Sequence, residues 1–141
     1  MAEILLRMPV EADADRIYSA VANEDGVQGW WSEKTTGPEG VGSTIKVSFP
    51  DAPITFDFEV TEANDHKRVA WHCLAGPPEW IGTEVSFDVE TSPEGNSLLF
   101  THGGWKTTAE SFPFIAYSWA QILPRLKKLA EEGERDPFFR F

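Results

Sequence analysis

One cysteine in 141 residues, Cys73, excludes a disulfide within the chain. No stretch nears the roughly 20 consecutive apolar residues that a membrane-spanning helix needs. The opening "MAEILLRMPVEADAD" holds no adequate apolar run for a signal peptide. Positive charge is scarce: 12 Lys and Arg stand against 23 Asp and Glu, for a net charge of −11. A surface this acidic repels phosphate backbones and anionic lipid, which argues against nucleic-acid partners and against membrane binding of the polybasic type. The expectation is a cytoplasmic protein with no membrane insertion.

Catalytic signatures are also missing. No glycine-rich phosphate loop follows a strand, and no G-x-S-x-G elbow occurs. The three histidines, His66, His72 and His102, are too scattered for a local metal motif. Neither a metal site nor a cofactor is expected.

Aromatic residues, by contrast, are abundant. They make up 13% of the chain, with six tryptophans and ten phenylalanines, and 41% of the residues are hydrophobic. Each aromatic ring buries roughly 150–250 Å², enough to fill a core or to line a cavity. The length suits one domain, residues 1–141.

Hydrophobic periodicity orders the elements. "EILLRMPV" (3–10) reads as a first strand. "DADRIYSAVANEDG" changes to helical spacing, with Asp13 or Asp15 as the cap and Ile17, Tyr18 and Val21 on one face. "DGVQGWWS" reads as a short helical turn capped by Asp25, with Gly26 ending the preceding helix or opening a turn. Strands follow at 43–49, 54–60, 68–74, 81–90 and 97–105, separated by "PDAP", "NDHK", "GPPEW" and "SPEGN". Alternation sends Ile54, Phe56, Phe58 and Val60 to one face, Val85, Phe87 and Val89 likewise, and Leu98, Phe100 and His102 likewise. One-sided alternation implies antiparallel strands with one wet face. Asp57, Glu59, Glu84, Asp88 and Glu90 fall on that wet face. The cover is "FPFIAYSWAQILPRLKKLAEEG" (112–133), a helix with Pro113 in its first turn, an apolar stripe of Ile115, Trp119, Ile122, Leu126 and Leu129, an internal Pro124 and a stop at Gly133. The class is α+β: a curved antiparallel sheet wrapped around a long C-terminal helix.

Such a sheet encloses more volume than one helix fills. The expected result is an internal hydrophobic cavity between the sheet and residues 112–123, bordered by Phe56, Phe58, Trp71, Phe87, Phe100 and Trp119. Trp30, Trp31, Phe112, Ile115 and His102 complete the candidate ligand-binding set. Of the adjacent tryptophans, one ring packs under the first helices and the other closes the cavity mouth. His102, in line with Leu98 and Phe100, is either a core-rim histidine satisfied by a hydrogen bond or a group that orients a ligand. Cys73 reads as a buried, inert thiol.

"ADADRIYSAVAN", "GWW", "WIGTEVSFDV", "LLFTHGGW" and "SWAQILPRLKKLAEEG" occur in the order seen in the START/polyketide cyclase/Bet v-like (SRPBCC) superfamily. The chain resembles that superfamily over about residues 3–133. Within it, the chain is most similar to bacterial homologues of the activator of the ninety-kilodalton heat-shock-protein ATPase. The resemblance implies a helix-grip fold with an internal apolar cavity. It matches Trp30 and Trp31 to the aromatic pair after the first helix, Trp80–Thr83 to a W-x-G-T strand start, His102 and Trp105 to a strand end, and Trp119 to the helix tryptophan. Family members bind lipids, hormones or polyketides, and some catalyse cyclisation or dehydration.

The leading expectation is therefore binding or carriage of a small hydrophobic molecule. The alternatives are a polyketide cyclase- or dehydratase-like enzyme, with His102 and Tyr18 or Tyr117 as the polar groups, and a chaperone-associated, stress-response interaction module. The tail "GERDPFFRF" holds Phe138, Phe139 and Phe141 beyond a helix stop. Exposed, these rings are costly, so they should dock on their own sheet or across a homodimer; the dimer is the expectation favoured here.

Overall fold

A computed structural model describes all 141 residues. The elements are β1 (Ala2–Val10), α1 (Ala14–Ala22), α2 (Glu24–Gln28), β2 (Thr35–Thr36), β3 (Thr44–Ser48), β4 (Thr55–Asn64), β5 (Arg68–Ala75), β6 (Glu84–Ser92), β7 (Gly95–Trp105) and α3 (Phe112–Glu132). The strands form one antiparallel seven-stranded sheet in the order β1-β7-β6-β5-β4-β3-β2. β1 and β2 lie at opposite edges, so α1 and α2 carry the chain across the width of the sheet. α3 then covers the inner face. This is the α+β helix-grip architecture.

The period-2 reading of the strands holds because the pleat fixes it. Phe56, Phe58 and Val60 of β4 are buried, as are Val85 and Phe87 of β6 and Leu98, Phe100 and His102 of β7. Phe87 lies directly opposite Phe100, with ring centroids 5.4 Å apart. Outward carboxylates find basic partners: Lys46–Asp57 at 3.0 Å, Arg68–Asp88 at 2.7 Å and Arg7–Glu90 at 2.9 Å. The Arg7 guanidinium holds the Glu90 carboxyl below its usual range. The Arg7–Glu90 pair, exposed on both sides, contributes little to stability.

α3 is a continuous 21-residue helix that carries Pro124. Proline has no N–H, so the Ala120 carbonyl four residues back lacks its helical donor. Both residues are exposed, which keeps that carbonyl at the surface. The buried stripe is Trp119, Ile122, Leu123, Leu126 and Ala130, and Gly133 ends the helix in the left-handed region at φ 71°. Ile115 and Leu129 are only half-buried.

Several local expectations are corrected. Asn23, not Asp25, caps α2, its Oδ1 accepting from Gly26 N–H at 2.8 Å. Asn23 is extended between the two helices, where a side chain can fold back, whereas Asp25 already lies inside the first turn. Gly26 ends nothing: it lies within α2, and a Cβ there would come 2.3 Å from the Ser19 carbonyl of α1. Strand β2 was not anticipated, because two threonines carry no alternation.

The tail docks on its own chain and does not leave it. Residues 136–139 run beside residues 29–33: Asp136, Phe138 and Phe139 donate backbone N–H to the carbonyls of Gly29, Trp30 and Trp31, and Glu33 N–H donates back to Phe139. Arg125 Nη1 donates to the carbonyls of Asp136 at 3.0 Å and Pro137 at 3.3 Å. Pro137 is buried, and Phe138 and Phe139 are half-buried. Truncation after Glu134 is therefore expected to lower the unfolding free energy by about 2 kcal/mol or more while leaving the sedimentation profile unchanged. Urea denaturation and sedimentation velocity of the two chains check both halves of this expectation.

Candidate functional site

The middle of the sheet is solid. Trp31 is the hub, with ring centroids 5.1 Å from Trp119, 6.0 Å from Trp30, Phe49 and Phe58, and 6.2 Å from Trp71. Trp71 meets Phe87 at 5.0 Å, and Phe100 meets Trp119 at 4.6 Å. Phe58, Trp71, Phe87 and Phe100 are 0% exposed. The expected cavity does not extend over them, because the loop after α2 drops Trp31 into that space.

The room that remains lies at one end. A pocket of about 350 Å³ opens between the β3–β4 turn, the β5–β6 loop and the first half of α3. It is lined by Trp31, Phe49, Pro50, Asp51, Ala52, Ile54, Phe56, Pro77, Trp80, Phe114, Ile115, Ser118, Trp119 and Phe139, ten of the 14 hydrophobic. Three edge-on contacts build its wall: Phe49–Phe56 at 4.8 Å, Phe49–Phe139 at 4.7 Å and Phe56–Trp80 at 4.7 Å. Phe49 and Trp80 sit at the ends of the two loops that the prolines of "FPDAP" and "GPPEW" fix.

Of the residues singled out from sequence, Trp31, Phe56, Ile115 and Trp119 line this pocket. Trp30, Phe58, Trp71, Phe87, Phe100, His102 and Phe112 do not. Trp30 anchors α1 instead, its Nε1 donating to the Ala20 carbonyl at 2.8 Å. Phe112 packs edge-on against Trp105 at 5.5 Å. Sequence reading missed Phe49, Ile54, Trp80, Phe114 and Phe139 as lining residues. Phe49, Ile54 and Trp80 carry a signal, apolar residues at the borders of proline-rich loops where polar ones are usual; Phe114 lies in α3 and Phe139 in the tail.

His102 is fully buried just behind the pocket wall. Its Nδ1 lies 3.1 Å from Trp119 Nε1, and an indole nitrogen can only donate, so Nδ1 accepts. Nε2 therefore carries the proton and donates to Thr83 Oγ1 at 2.9 Å. Thr83 in turn donates to the Trp80 carbonyl at 2.6 Å. Burial pushes the imidazole pKa from 6.5 down to about 3, so the ring is neutral. Both nitrogens are occupied, and the chain they form fixes Trp80 and Trp119, two walls of the pocket. His66 and His72 lie outside this region. Cys73 is buried, and burial raises its thiol to about 11, which leaves it unreactive.

Within the pocket the polar side chains are Asp51, which is exposed, and Ser118, whose hydroxyl donates to the Phe114 carbonyl at 3.0 Å. No acid and base converge there, and no cluster of His, Cys, Asp or Glu fit to hold a metal ion occurs. No helix is long and apolar enough to cross a membrane.

An antiparallel sheet gripping a C-terminal helix, with an apolar pocket where the two part, defines a helix-grip domain of the SRPBCC type. The chain is 36% identical to the Aha1 protein of Colwellia psychrerythraea, whose solution structure is a dimer. The match covers 94% of this chain and 98% of that one with a TM-score of 0.84, and the chain belongs to that protein's family. Two further solved structures share the fold at lower identity. Protein MLL2253 of Mesorhizobium loti is 18% identical, with a TM-score of 0.79 over 91% of this chain and 96% of that one. DynU16, a protein of the dynemicin biosynthetic locus, is 20% identical, with a TM-score of 0.78 over 99% of this chain and 51% of that one. No protein-family model and no curated protein matches the chain.

Proposed function

We propose that this chain binds a compact apolar molecule in the pocket between Phe49, Trp80 and the first half of α3. The observation that carries this reading is a pocket that stays apolar although it opens at the surface of a very acidic protein. Its volume lies at the lower end of the roughly 300–1,000 Å³ usual for small-molecule sites. Aromatic walls on several sides suit a flat, ring-containing ligand. Binding is favoured over turnover because the one hydroxyl inside is already hydrogen-bonded and the nearby histidine is neutral and fully occupied. The role is that of a carrier or sensor of the ligand.

A neutral fluorescent probe, N-phenylnaphthylamine, tests this reading. It should brighten on binding and take up excitation from Trp31, Trp80 and Trp119. Ser118→Trp, which fills the pocket from α3, should weaken the probe at least about tenfold, or about 1.4 kcal/mol, with little change in melting temperature. A wild-type chain that leaves the probe dark, or a Trp variant that binds it equally well, would sink the proposal.

A second reading concerns assembly. The Colwellia relative is a dimer, and we carry pairing over to this chain as a homodimer. Exposed Ile54, Phe114 and Tyr117 around the pocket mouth support it.

A further inference from the structure

Residues 112–124, "FPFIAYSWAQILP", contain no charged side chain, although a quarter of the whole chain is charged. The inner half of this helical segment is accounted for: Trp119, Ile122 and Leu123 are buried. The outer half is not. A solvated helix face is ordinarily polar. Here Phe114 is 66% exposed and Tyr117 61% exposed, and Ala120, Gln121 and Pro124 continue the strip. The one hydrogen bond between side chains along it, Gln121 Nε2 to Tyr117 Oη at 3.0 Å, lies within the strip itself.

The strip is continuous with the pocket. Phe114, Ile115 and Ser118 belong to α3 and also line the cavity, and half-exposed Ile54 stands across its mouth. Whatever covers the strip covers the opening as well.

We propose that the cover is a second copy of this chain, packed strip against strip about a two-fold axis, so that each copy roofs the other's pocket. The inference rests on the pairing proposed above and adds the face. Charge selects the occupant. Two copies of net charge −11 repel over most of their surfaces, and the charge-free strip is where they can approach. A basic partner would be drawn to the carboxylates, and anionic lipid would be repelled. A two-fold axis brings one patch onto itself, so a self-complementary apolar strip suffices without a matching second surface. Ala120, small and mid-strip, lets the two helices come close. Exposed Phe and Tyr are the residue types enriched at the centres of such interfaces.

Sedimentation equilibrium of the full chain over a wide concentration range decides the matter. The wild type should be a dimer that dissociates on dilution. Tyr117→Glu places two carboxylates at the axis and should raise the dissociation constant at least about a hundredfold. Tyr117 is mostly exposed, so the variant keeps its fold, as circular dichroism and its melting temperature will confirm. Leu5→Glu, at an exposed position on edge strand β1, should leave the dimer unchanged. A wild type that stays monomeric at the highest soluble concentration overturns pairing altogether. A dimer that survives Tyr117→Glu, or that Leu5→Glu breaks, overturns the face while pairing stands.

Discussion

Replacing Trp119 with alanine should cost about 3–5 kcal/mol of folding free energy. The ring meets Phe100 at 4.6 Å, Trp31 at 5.1 Å and Trp80 at 6.3 Å, and it is 1% exposed. Truncation leaves a cavity between sheet and helix that these rigid rings cannot collapse to fill. It also strands His102 Nδ1, which loses its donor at 3.1 Å in a dry interior. Domains of this kind are stable by only about 5–15 kcal/mol, so one side chain removes about a fifth of that at the least and most of it in a marginal domain. At about 2–4 °C per kcal/mol, the melting temperature should fall by roughly 10 °C. Trp119→Phe separates the two contributions: it keeps most of the packing and loses the N–H, so it should lose no more than about 3 kcal/mol. Urea unfolding of the three chains gives the comparison. A loss under about 1 kcal/mol in the alanine variant would mean that α3 is not held by this ring.

The same tryptophan marks how far a sequence can be read. The stripe through Trp119, Ile122 and Leu126 and the alternation in β4, β6 and β7 were legible because helix and pleat each impose one period on which side chains face inward. Periodicity assigns a face, however, not a neighbour. Phe56, Phe58, Phe87 and Phe100 face inward alike, yet only Phe56 reaches the pocket. The difference is made by Trp31, which arrives from a loop and fills the space over the others. Phe49 continues the alternation of Ile45 and Val47 just past the end of β3, which marks it as inward but not as a pocket wall. Trp80 and Phe139 come from a loop and the tail, where no repeating pattern flags them. The tail itself was expected to reach a second subunit. It stays home because its N–H groups pair with the carbonyls of Gly29, Trp30 and Trp31, about a hundred residues away in the chain, and no local pattern records backbone pairing at that distance. His102 was legible as an inward polar group. Its role was not, since that depends on Thr83 and Trp119 converging on its two nitrogens.

That convergence predicts how the protein responds to acid. In the folded chain burial holds the His102 imidazole neutral down to about pH 3, whereas in the unfolded chain it takes up a proton below about 6.5. Between these values the unfolded state binds one more proton than the folded state. Stability is therefore fully present above about pH 6.5 and falls as the pH drops, by about 1.4 kcal/mol for each pH unit that a single histidine governs. Near pH 3 the decline from this group levels off. Carboxylates confuse the lower part of that range: Glu90, Glu131 and Asp136 are held below their usual values by Arg7, Lys127 and Arg140, so their contributions fade as the pH falls from the ordinary carboxylate range through those lowered values. The window from about pH 6.5 to about 4.5 lies above them and isolates the histidine. Across it the wild type should lose roughly 2–3 kcal/mol. His102→Gln, neutral at every pH and able both to accept from Trp119 and to donate to Thr83, should start less stable and lose under about 1 kcal/mol over the same window. Parallel slopes in the two proteins, measured by urea midpoints across this range, would show that another group sets the acid response. A flatter slope in the variant would tie acid sensitivity to the residue that fixes Trp80 and Trp119, so the pocket wall and the fold would loosen together as the pH falls.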